Sequence, residues 1–348
     1  MHKYDYSFLK DYKITSKLLG LSNVIAESNY RTSLLEQRNP NYFNKLHEKA
    51  VIESTISSSR IEGVVTSPKR EKELLNTTFE PINHDEQEIS GYKDAIIFIS
   101  NNYDDISIDE KTIKYLHSLL MFYTPRGGGE YKKTDNVISL KYEDGTSKVI
   151  FYPVSSDDTE SHMKMLCKAY NDAYEDEEIN KLLLIPCFIV DFLAIHPFKD
   201  GNGRISRLLT LLLLYKEGYK IGKYISYEKM IEEYKWNYYQ AINNSQTNWH
   251  DNKNDYADFI IFHFQMLYRC YKNINEDLLV SEEENNLSKK QRIAYVLKNS
   301  VLPISKAEIA NKLLDISITT IENELSQLQK KGLIKKLGNY KDAKYKWI

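Results

Sequence analysis

Cysteine is scarce in this chain, and its scarcity excludes two kinds of site. Only three of the 348 residues are cysteine, and Cys167, Cys187 and Cys270 stand far apart in the sequence. Such spacing fits neither a disulfide framework nor a zinc site built on paired cysteines. We therefore expect a protein of a reducing compartment, the cytoplasm.

Targeting signals and long apolar runs are also missing. The first ten residues, MHKYDYSFLK, do not show the basic and then apolar order of a secretory signal. The most apolar stretch, LLLIPCFIVDFLAI, is too short for a membrane span and contains Pro186 and Asp191. We predict a buried core helix at this stretch and expect no contact with a membrane.

Net charge is nearly absent overall but is unevenly distributed. The formal net charge is −2, yet residues 288–348 hold thirteen lysine or arginine residues against five aspartate or glutamate residues. This segment therefore carries +8 and leaves −10 for residues 1–287. The asymmetry predicts a separate basic module, and the polar stretch SEEENNLSKK before it is the best linker candidate.

The sequence is rich, by contrast, in helical periodicity. Apolar residues recur at helical spacing in KLHEKAVIESTISSSRIEG, which Gly63 should end, and in ISRLLTLLLLYKEG, which should end near Gly218. The exception is NVISLKYEDGTSKVIFYPV, whose two β-rich runs flank Asp144-Gly145 and predict a β-hairpin. We predict a mainly α fold with one hairpin and a small C-terminal domain.

The twelve residues HPFKDGNGRISR, from His196 to Arg207, bring together groups that suit phosphate chemistry. The stretch Gly201-Asn202-Gly203 directly precedes an apolar helix, whose first N–H groups and positive dipole end attract anions. Arg204 and Arg207 are three residues apart on that helix and should face one side. Guanidinium groups bind phosphate through paired, charge-assisted hydrogen bonds.

Two more residues of this loop suit a reacting centre. Asp200 offers a hard oxygen ligand for Mg²⁺, and His196 is the one group there that can accept a proton near neutral pH. Taken singly, each feature has an ordinary structural explanation as a helix-end histidine, a turn or surface arginines. Their joint occurrence favours a site that holds a nucleoside triphosphate beside a general base.

The same twelve residues resemble, without a gap, the signature of the Fic family, His-Pro-Phe-x-Asp-Gly-Asn-Gly-Arg-x-x-Arg. The resemblance extends over roughly residues 45–245. Fic proteins are helical enzymes that mostly transfer AMP from ATP to a hydroxyl side chain of a target protein. The resemblance therefore implies a protein adenylyltransferase, or AMPylase, that uses ATP and Mg²⁺.

The resemblance also implies a role for each residue of the loop. His196 would deprotonate the target hydroxyl, and Asp200 would hold Mg²⁺ on the α- and β-phosphates. The phosphates would be bound, from the anion hole out to the γ-phosphate, by Gly201, Asn202, Gly203, Arg204 and Arg207.

Two other segments resemble parts of the family's site. The hairpin is similar to the flap, and Val137 and Ile138 at its edge would pair with an extended segment of the target. The segment WNYYQAI is similar to the one whose tyrosine, here Tyr238, lines the adenine pocket. A plain surface hairpin and a tyrosine-rich core remain the alternatives for these two segments.

A third segment, SSSRIEG, indicates a built-in brake. Ser58 and Glu62 are four residues apart on one helical face, and Glu62 lies at a helix end that disfavours negative charge, so we expect a cationic partner. The segment resembles the family's inhibitory motif at Ser58, Glu62 and Gly63. That implies an N-terminally inhibited protein in which Glu62 pairs with Arg207 at the γ-phosphate position. An ordinary surface glutamate is the alternative.

Residues 288–348 resemble a winged helix, with Gly338 and Lys341–Asp342 at the wing and SITTIENELSQLQKKG as the groove-entering helix. The positive charge favours contact with DNA, although Glu322 and Glu324 suit phosphates poorly and such domains also dock proteins. The chain then divides into four predicted segments: an N-terminal helical region with the inhibitory helix (1–95), the Fic catalytic core (96–275), a linker (276–287) and the winged helix (288–348).

Other functions stay open at this stage. The same site could transfer a related phosphate group, could remove AMP with the help of Glu62, or could sense nucleotide for a DNA-binding regulator. The intact His196 favours catalysis, because a sensor needs no base. We expect a target protein with a hydroxyl side chain, and self-modification or a homodimer remains open.

Overall fold

The computed structural model describes residues 2–64, 81, 83–125, 127–141, 146–284, 288–300, 303–338 and 343–348, without the side chains of 140–141, 275–284 and 299. In these ranges the α-helices are α1 Ser16–Arg38, α2 Pro40–Ile61, α3 His84–Asn102, α4 Glu110–Leu120, α5 Thr159–Tyr174, α6 Lys181–Ile195, α7 Asn202–Lys216, α8 Tyr227–Glu233, α9 Lys235–Gln246, α10 Ala257–Glu284, α11 Lys289–Asn299, α12 Lys306–Lys312 and α13 Ile318–Lys330. The strands are β1 Ile138–Lys141, β2 Ser147–Phe151, β3 Ile304–Ser305, β4 Ile334–Leu337 and β5 Lys344–Trp347. The predicted mainly helical fold is confirmed.

Several element boundaries follow the sequence signals. Helix α2 ends just before Gly63, whose φ is +88°, and α7 ends just before Gly218, whose φ is +78°. Strands β1 and β2 pair antiparallel, and the predicted turn at Asp144-Gly145 lies outside the described residues. Helix α10 continues through most of the segment predicted as a linker, 276–287, and the short strand β3 was not predicted.

The chain separates into two compact units. The first unit comprises Met1–Tyr30 and Glu48–Tyr271, and the second comprises Arg31–His47 and Lys272–Ile348.

Helices α6 and α7 form the centre of the first unit. Every residue of α6 from Leu182 to Ile195 is buried, as expected for a helix that is apolar on nearly all sides. Helix α7 packs directly against it and is buried from Arg204 to Tyr215. Among the described residues, no helix combines the length and the hydropathy that a membrane span requires. The three cysteines are free and buried.

One carboxylate lies inside this core, at Asp191 of α6. Its oxygens accept hydrogen bonds from the Tyr6 hydroxyl at 2.8 Å, the Trp249 indole at 2.7 Å and the Tyr256 hydroxyl at 2.9 Å. Burial raises the pKa of Asp191 to about 6, and the three hydrogen bonds oppose that shift. The polar residue that interrupts the apolar run therefore ties three distant segments to α6.

The second unit has its own apolar core between three helices and a small sheet. The antiparallel sheet has the strand order β3-β5-β4. Apolar side chains from α11, α12, α13 and all three strands pack together: Ile293, Val296, Leu297, Ile304, Ile309, Leu313, Ile316, Ile321, Leu325, Leu328, Ile334 and Tyr345. Gly338 after β4 has a φ of +79°, and Lys341–Asp342 lie outside the described residues.

Candidate active site

His196 is the first residue after α6 and adopts a left-handed backbone, with φ 50° and ψ 60°. Its backbone N–H donates to the Phe192 carbonyl at 2.9 Å, and its ring Nδ1 lies 3.3 Å from the Leu193 carbonyl. A carbonyl oxygen only accepts, so Nδ1 must carry the hydrogen of the neutral ring. The lone pair is therefore on Nε2, where it can take a proton.

The surroundings of His196 keep its ring neutral. Burial lowers the pKa of His196 to about 4, the hydrogen bond to Leu193 opposes this shift, and the positive charge of Lys132 adds to it. At neutral pH the imidazole is therefore unprotonated and can act as a base.

The loop between α6 and α7 is fixed by its own residues and by α4. The Asn202 side chain accepts from the Phe198 N–H at 2.9 Å and donates to the Phe198 carbonyl at 2.7 Å. His117 of α4 stacks on the Phe198 ring at 3.8 Å, and its Nε2 lies 3.2 Å from the Asp200 carbonyl. Sequence reasoning missed His117, because no nearby residue marks its contact with a loop about eighty positions away.

Helix α7 begins without a side-chain cap. Its N-cap is Gly201, which has a φ of +79° and no side chain to accept a hydrogen bond. Helix starts are usually capped by serine, threonine, aspartate or asparagine, which satisfy one of the free N–H groups. The first turn, at Asn202, Gly203 and Arg204, can therefore direct its N–H groups to an external anion.

Arg204 is held on one side of this helix start by a residue that sequence reasoning also missed. Its guanidinium faces both oxygens of the buried Glu88 on α3, at 2.8 and 2.9 Å. The same guanidinium lies 3.2 Å from Oδ1 of Asp200. Arg204 therefore orients the Asp200 carboxylate as well as flanking the anion site.

Asp200 is the group in this loop that is available to a cation. Its side chain is 62% exposed, and Oδ1 also accepts the Gly201 N–H at 2.6 Å. His84, Glu88 and Asp200 offer ligand atoms within 4.8 Å of one another, but both Glu88 oxygens face Arg204. An exposed carboxylate with one oxygen turned away from these partners suits a hard ion such as Mg²⁺.

Arg207 has a different set of partners from Arg204 and is only 1% exposed. Its guanidinium donates to the Ser58 hydroxyl and the Ser58 carbonyl, each at 3.0 Å, and to Oε1 of Glu62 at 2.8 Å. A Cβ added at Gly203 would collide with this Glu62 oxygen and would lie 3.4 Å from Arg207. The Glu62 carboxylate therefore rests against the first turn of α7, with the cationic partner that the sequence predicts.

The end of α2, which carries Glu62, is held from α9 as well. The Tyr239 hydroxyl donates to the Ile61 carbonyl at 3.2 Å, and the Lys235 ammonium donates to the Arg60 carbonyl at 3.3 Å. Cations and hydroxyls at a helix C-terminus satisfy its free carbonyls and complement its dipole. These contacts fix the position from which Glu62 reaches Arg207.

Tyr238, predicted to line an adenine pocket, is buried in the structure. The residue is only 3% exposed, and its ring packs against Phe259 and Phe262, with ring centroids 6.0 and 5.7 Å apart. Its hydroxyl interacts with Ser206 and Arg207. The structure therefore places Tyr238 in the core next to Arg207, and its contact with an adenine stays a prediction.

The predicted hairpin is present as strands β1 and β2, and its role as a flap stays a prediction. Ile138 pairs with Phe151, and a bulge follows between Ile138 and Ser139. Val137 is 52% exposed and Ile138 is half-buried. Both residues thus lie at the start of β1, where an extended segment could be added alongside it.

Comparisons with known proteins agree with this arrangement. Residues 107–214 match the family described as Fic/DOC family. A crystal structure of a Fic family protein from Desulfovibrio desulfuricans shares 18% identity over 97% of each chain, with a TM-score of 0.61. A Fic domain containing signaling protein from Bacteroides thetaiotaomicron shares 22% identity over 72% of this chain and 94% of that one, also with a TM-score of 0.61.

A Fic-1 fragment from C. elegans shares 18% identity over 72% of this chain and 76% of that one, with a TM-score of 0.50. No curated protein sequence matches the chain. Fic domains generally transfer phosphate-containing groups, such as AMP, to proteins. The loop of His196, the start of α7 and the β1–β2 hairpin all lie within residues 107–214, the part of the chain that is similar to the Fic/DOC family.

Proposed function

We propose that the chain is a protein adenylyltransferase that transfers AMP from ATP to a serine, threonine or tyrosine hydroxyl of a target protein. The observation that carries this proposal is a neutral histidine with a free Nε2 next to an uncapped helix start. A base alone or an anion site alone would serve many functions. Together they suit attack by a hydroxyl on a bound phosphate.

The reaction follows from the positions of these groups. The triphosphate lies at the start of α7, where the N–H groups of the first turn and Arg207 bind its oxygens. Nε2 of His196 takes the proton from the target hydroxyl, whose oxygen forms a bond to the α-phosphorus. The bond from the α-phosphorus to the bridging oxygen breaks, and pyrophosphate leaves.

Asp200 is the residue that would hold magnesium. Its exposed carboxylate, oriented by Arg204 and the Gly201 N–H, fits a hard cation. When bound, Mg²⁺ would neutralise charge on the phosphates. The protein's own part is to hold this carboxylate beside the helix start.

Glu62 inhibits the reaction in this proposal. Its carboxylate occupies the first turn of α7 and bonds Arg207 at 2.8 Å, so it competes with the outermost phosphate for both. A nucleotide then binds weakly or in a pose that does not present its α-phosphorus to His196. The chain would thus belong to the N-terminally inhibited class.

Two separately labelled forms of ATP test the transfer. Glu62→Gly protein incubated with Mg²⁺ and α-labelled ATP should label itself or a lysate protein, and His196→Ala in the same background should not. Label from γ-labelled ATP would instead identify a kinase. Absence of both labels with nucleotide bound would overturn the transferase proposal.

Removal of AMP is the reverse use of the same site. Glu62 lies beside the phosphate position and could orient a water molecule there. A target modified in advance by Glu62→Gly protein should lose its AMP in the presence of wild type if this is the main activity. Retention of the label over hours would leave addition as the activity.

A second candidate function, contact with duplex DNA, concerns residues 288–348, which we interpret as a winged helix. Lys335 of β4 stands directly opposite Lys346 of β5. Like charges in such a pair destabilise a sheet, so an anionic partner that neutralises them would stabilise it. Of the two acidic residues that argued against DNA, Glu324 is buried and Glu322 pairs with Lys306 at 2.6 Å.

The exposed side of α13 suits bases rather than phosphates. Its exposed residues include the neutral hydrogen-bonding side chains of Thr319, Asn323, Ser326 and Gln327, beside Ile318 and Glu322, which pairs with Lys306. Amide and hydroxyl groups of this kind read base edges in the major groove, while lysines on the wing contact the backbone.

A duplex-binding titration of the full chain at several salt concentrations tests this interface. The Lys335→Gln and Lys346→Gln double variant should bind more weakly and with a shallower salt dependence than wild type. Lys111→Gln with Lys164→Gln, which removes two exposed lysines of the first unit, serves as the control for net charge. Equal binding by the two double variants, or none at low salt, would remove this function.

A further inference from the structure

The last four carbonyls of any α-helix lack partners within the helix, and at α6 all four are bound. His196 takes two of them, since its backbone N–H donates to Phe192 and its ring Nδ1 faces Leu193. The hydrogen bonds that end α6 therefore also hold the His196 ring in place.

The other two carbonyls accept hydrogen bonds from residues that precede and follow the β1–β2 hairpin. The Val154 N–H, just after β2, donates to the Ala194 carbonyl at 3.3 Å. The Lys132 ammonium, just before β1, donates to the Ile195 carbonyl at 3.1 Å. The segments before and after the hairpin are therefore both hydrogen-bonded to the last turn of α6.

Lys132 makes a second contact that brackets His196. Its backbone N–H donates to the Pro197 carbonyl at 2.8 Å, while its ammonium holds the Ile195 carbonyl. The peptide group before His196 and the one after Pro197 are thus both bound by one residue. Residues other than glycine seldom adopt a left-handed backbone, and the conformation persists where surrounding contacts enforce it.

Lys132 is also connected to the strand that would receive a target. Its ammonium donates to Oδ1 of Asn136 at 2.8 Å, and Nδ2 of Asn136 donates to the Phe198 carbonyl at 3.3 Å. Strand β1 begins two residues later, at Ile138. A target segment that pairs with β1 would therefore lie only a few residues from the side chains that hold the segment around His196.

The charge of Lys132 bears on the base directly. The residue is only 5% exposed, and burial lowers its pKa to about 8, so it stays mainly protonated at neutral pH. Three charged groups face His196: Lys132, which disfavours the imidazolium, and Glu62 and Asp200, which favour it. Loss of the lysine would leave the two carboxylates unopposed.

We propose that Lys132 is a positioning residue for the general base: it holds His196 in its left-handed conformation, places a positive charge near the ring, and links the β1–β2 hairpin to the base. The activity readout of this proposal rests on the proposed function. The titration readout does not.

The first test is the titration of the His196 ring, followed by ¹³C–¹H NMR at Cε1 and assigned with His196→Ala. In Lys132→Met the ring should titrate at a higher pH than in wild type, because a nearby cation has been removed. Lys133→Met is the matched control, since Lys133 is the next residue, is 82% exposed and pairs with Glu130 at the surface. If Lys132→Met does not fold, Lys132→Gln removes the same charge and keeps a donor.

The second test is the rate of AMP transfer in the Glu62→Gly background. Lys132→Met should lower kcat by on the order of 10²-fold, because the base is displaced. The KM for ATP should change little, as Lys132 does not contact the start of α7. Asn136→Ala should lower kcat without moving the titration, because the amide is uncharged, and Lys132→Arg should keep the titration and part of the rate.

The outcomes separate the two proposals. An unchanged His196 titration in Lys132→Met, equal to that of Lys133→Met, would overturn the role of Lys132. A shifted titration in a protein whose wild type and Glu62→Gly forms transfer no AMP would overturn the proposed function and leave the positioning role in place.

Discussion

The end of α6 and the start of α7 are separated by six residues, and the protein treats them in opposite ways. At the end of α6, each of the four carbonyls without a partner inside the helix is bound by His196, Val154 or Lys132. At the start of α7 no side chain caps the helix, and a glutamate from α2 lies against the first turn. In our proposal, the closed end of α6 holds the base, and the open start of α7 receives the ligand.

The comparison explains why the two functional groups respond to different changes. His196 is held by contacts within the protein, so its variants should affect chemistry. Glu62 competes for groups that nucleotide would use, so its variants should affect binding. The following predictions test this division, from the largest expected effect to the smallest.

His196→Ala should give the largest effect, on chemistry alone. Loss of a general base lowers rates by about 10²–10⁴-fold. ATP affinity, measured by calorimetry in the Glu62→Gly background, should stay within a few-fold, because the ring is at the closed end. A large loss of ATP affinity in this variant would break the division between the two helix ends.

Glu62→Gly should raise ATP affinity and AMP transfer by roughly tenfold or more and lower stability in the absence of ATP. The buried Arg207 loses its carboxylate, and breaking such a pair costs about 1–3 kcal/mol when one partner is partly exposed, as Glu62 is at 31%. Thermal unfolding with and without ATP and Mg²⁺ measures both effects. ATP should restore most of the lost Tm in the variant but raise that of wild type only slightly.

Glu62→Gln is the matched control for this variant. It keeps the shape and one hydrogen-bonding oxygen but removes the charge, so its ATP affinity should fall between those of wild type and Glu62→Gly. If both variants bind ATP with wild-type affinity, inhibition by Glu62 would be contradicted.

Gly203→Ala should weaken ATP binding by about tenfold, or about 1.4 kcal/mol, even in the Glu62→Gly background. A methyl group there stands over the first turn, where Glu62 now lies and where a phosphate would approach. Gly20→Ala in α1 is the control, because nothing lies within 4 Å of its added Cβ. Unchanged ATP affinity in Gly203→Ala would place the phosphates elsewhere.

The pH dependence should be the smallest effect near neutrality. With the pKa of His196 at about 4, the rate should be nearly flat from pH 6 to 8 and fall as pH drops toward 4, since an imidazolium cannot accept a proton. If the rate instead falls with an apparent pKa at the ordinary value of 6.5, the surroundings of His196 at the end of α6 do not lower its pKa.

Stability should follow the same sign. The folded pKa of His196 lies below its ordinary value of 6.5, so the unfolded chain binds the proton first as pH falls. The free energy of unfolding should therefore decrease between about pH 6.5 and 4. Burial lowers the pKa of His2 and His117 to about 4 and that of His263 to about 3, so these residues should add to the loss.

The sequence predicted what lies close together along the chain. The loop from His196 to Arg207 is contiguous, and its glycines, arginines and following apolar helix carry recognisable local signals. A cationic partner for Glu62 could also be expected, because a glutamate at a helix end needs a cation, and the resemblance to the inhibitory motif implied Arg207. The helical fold and the hairpin followed from periodicity in the same way.

The supporting residues could not be predicted, because they reach the site only through tertiary packing. Glu88, His117 and Lys132 lie on α3, on α4 and before the flap, each more than sixty positions from its contact in the loop. Nothing in their local sequence separates them from surface residues. Tyr238 packs inward next to Arg207, and its predicted contact with an adenine stays a prediction.

The amide of Asn202 has a consequence for the thermodynamics of nucleotide capture. By bonding both main-chain groups of Phe198, it closes a ring of five residues in the ligand-free protein. The conformational entropy of this segment is thus already lost on folding, and binding need not order it again. Backbone amides from 198 to 202 should show the same order parameters before and after ATP is added.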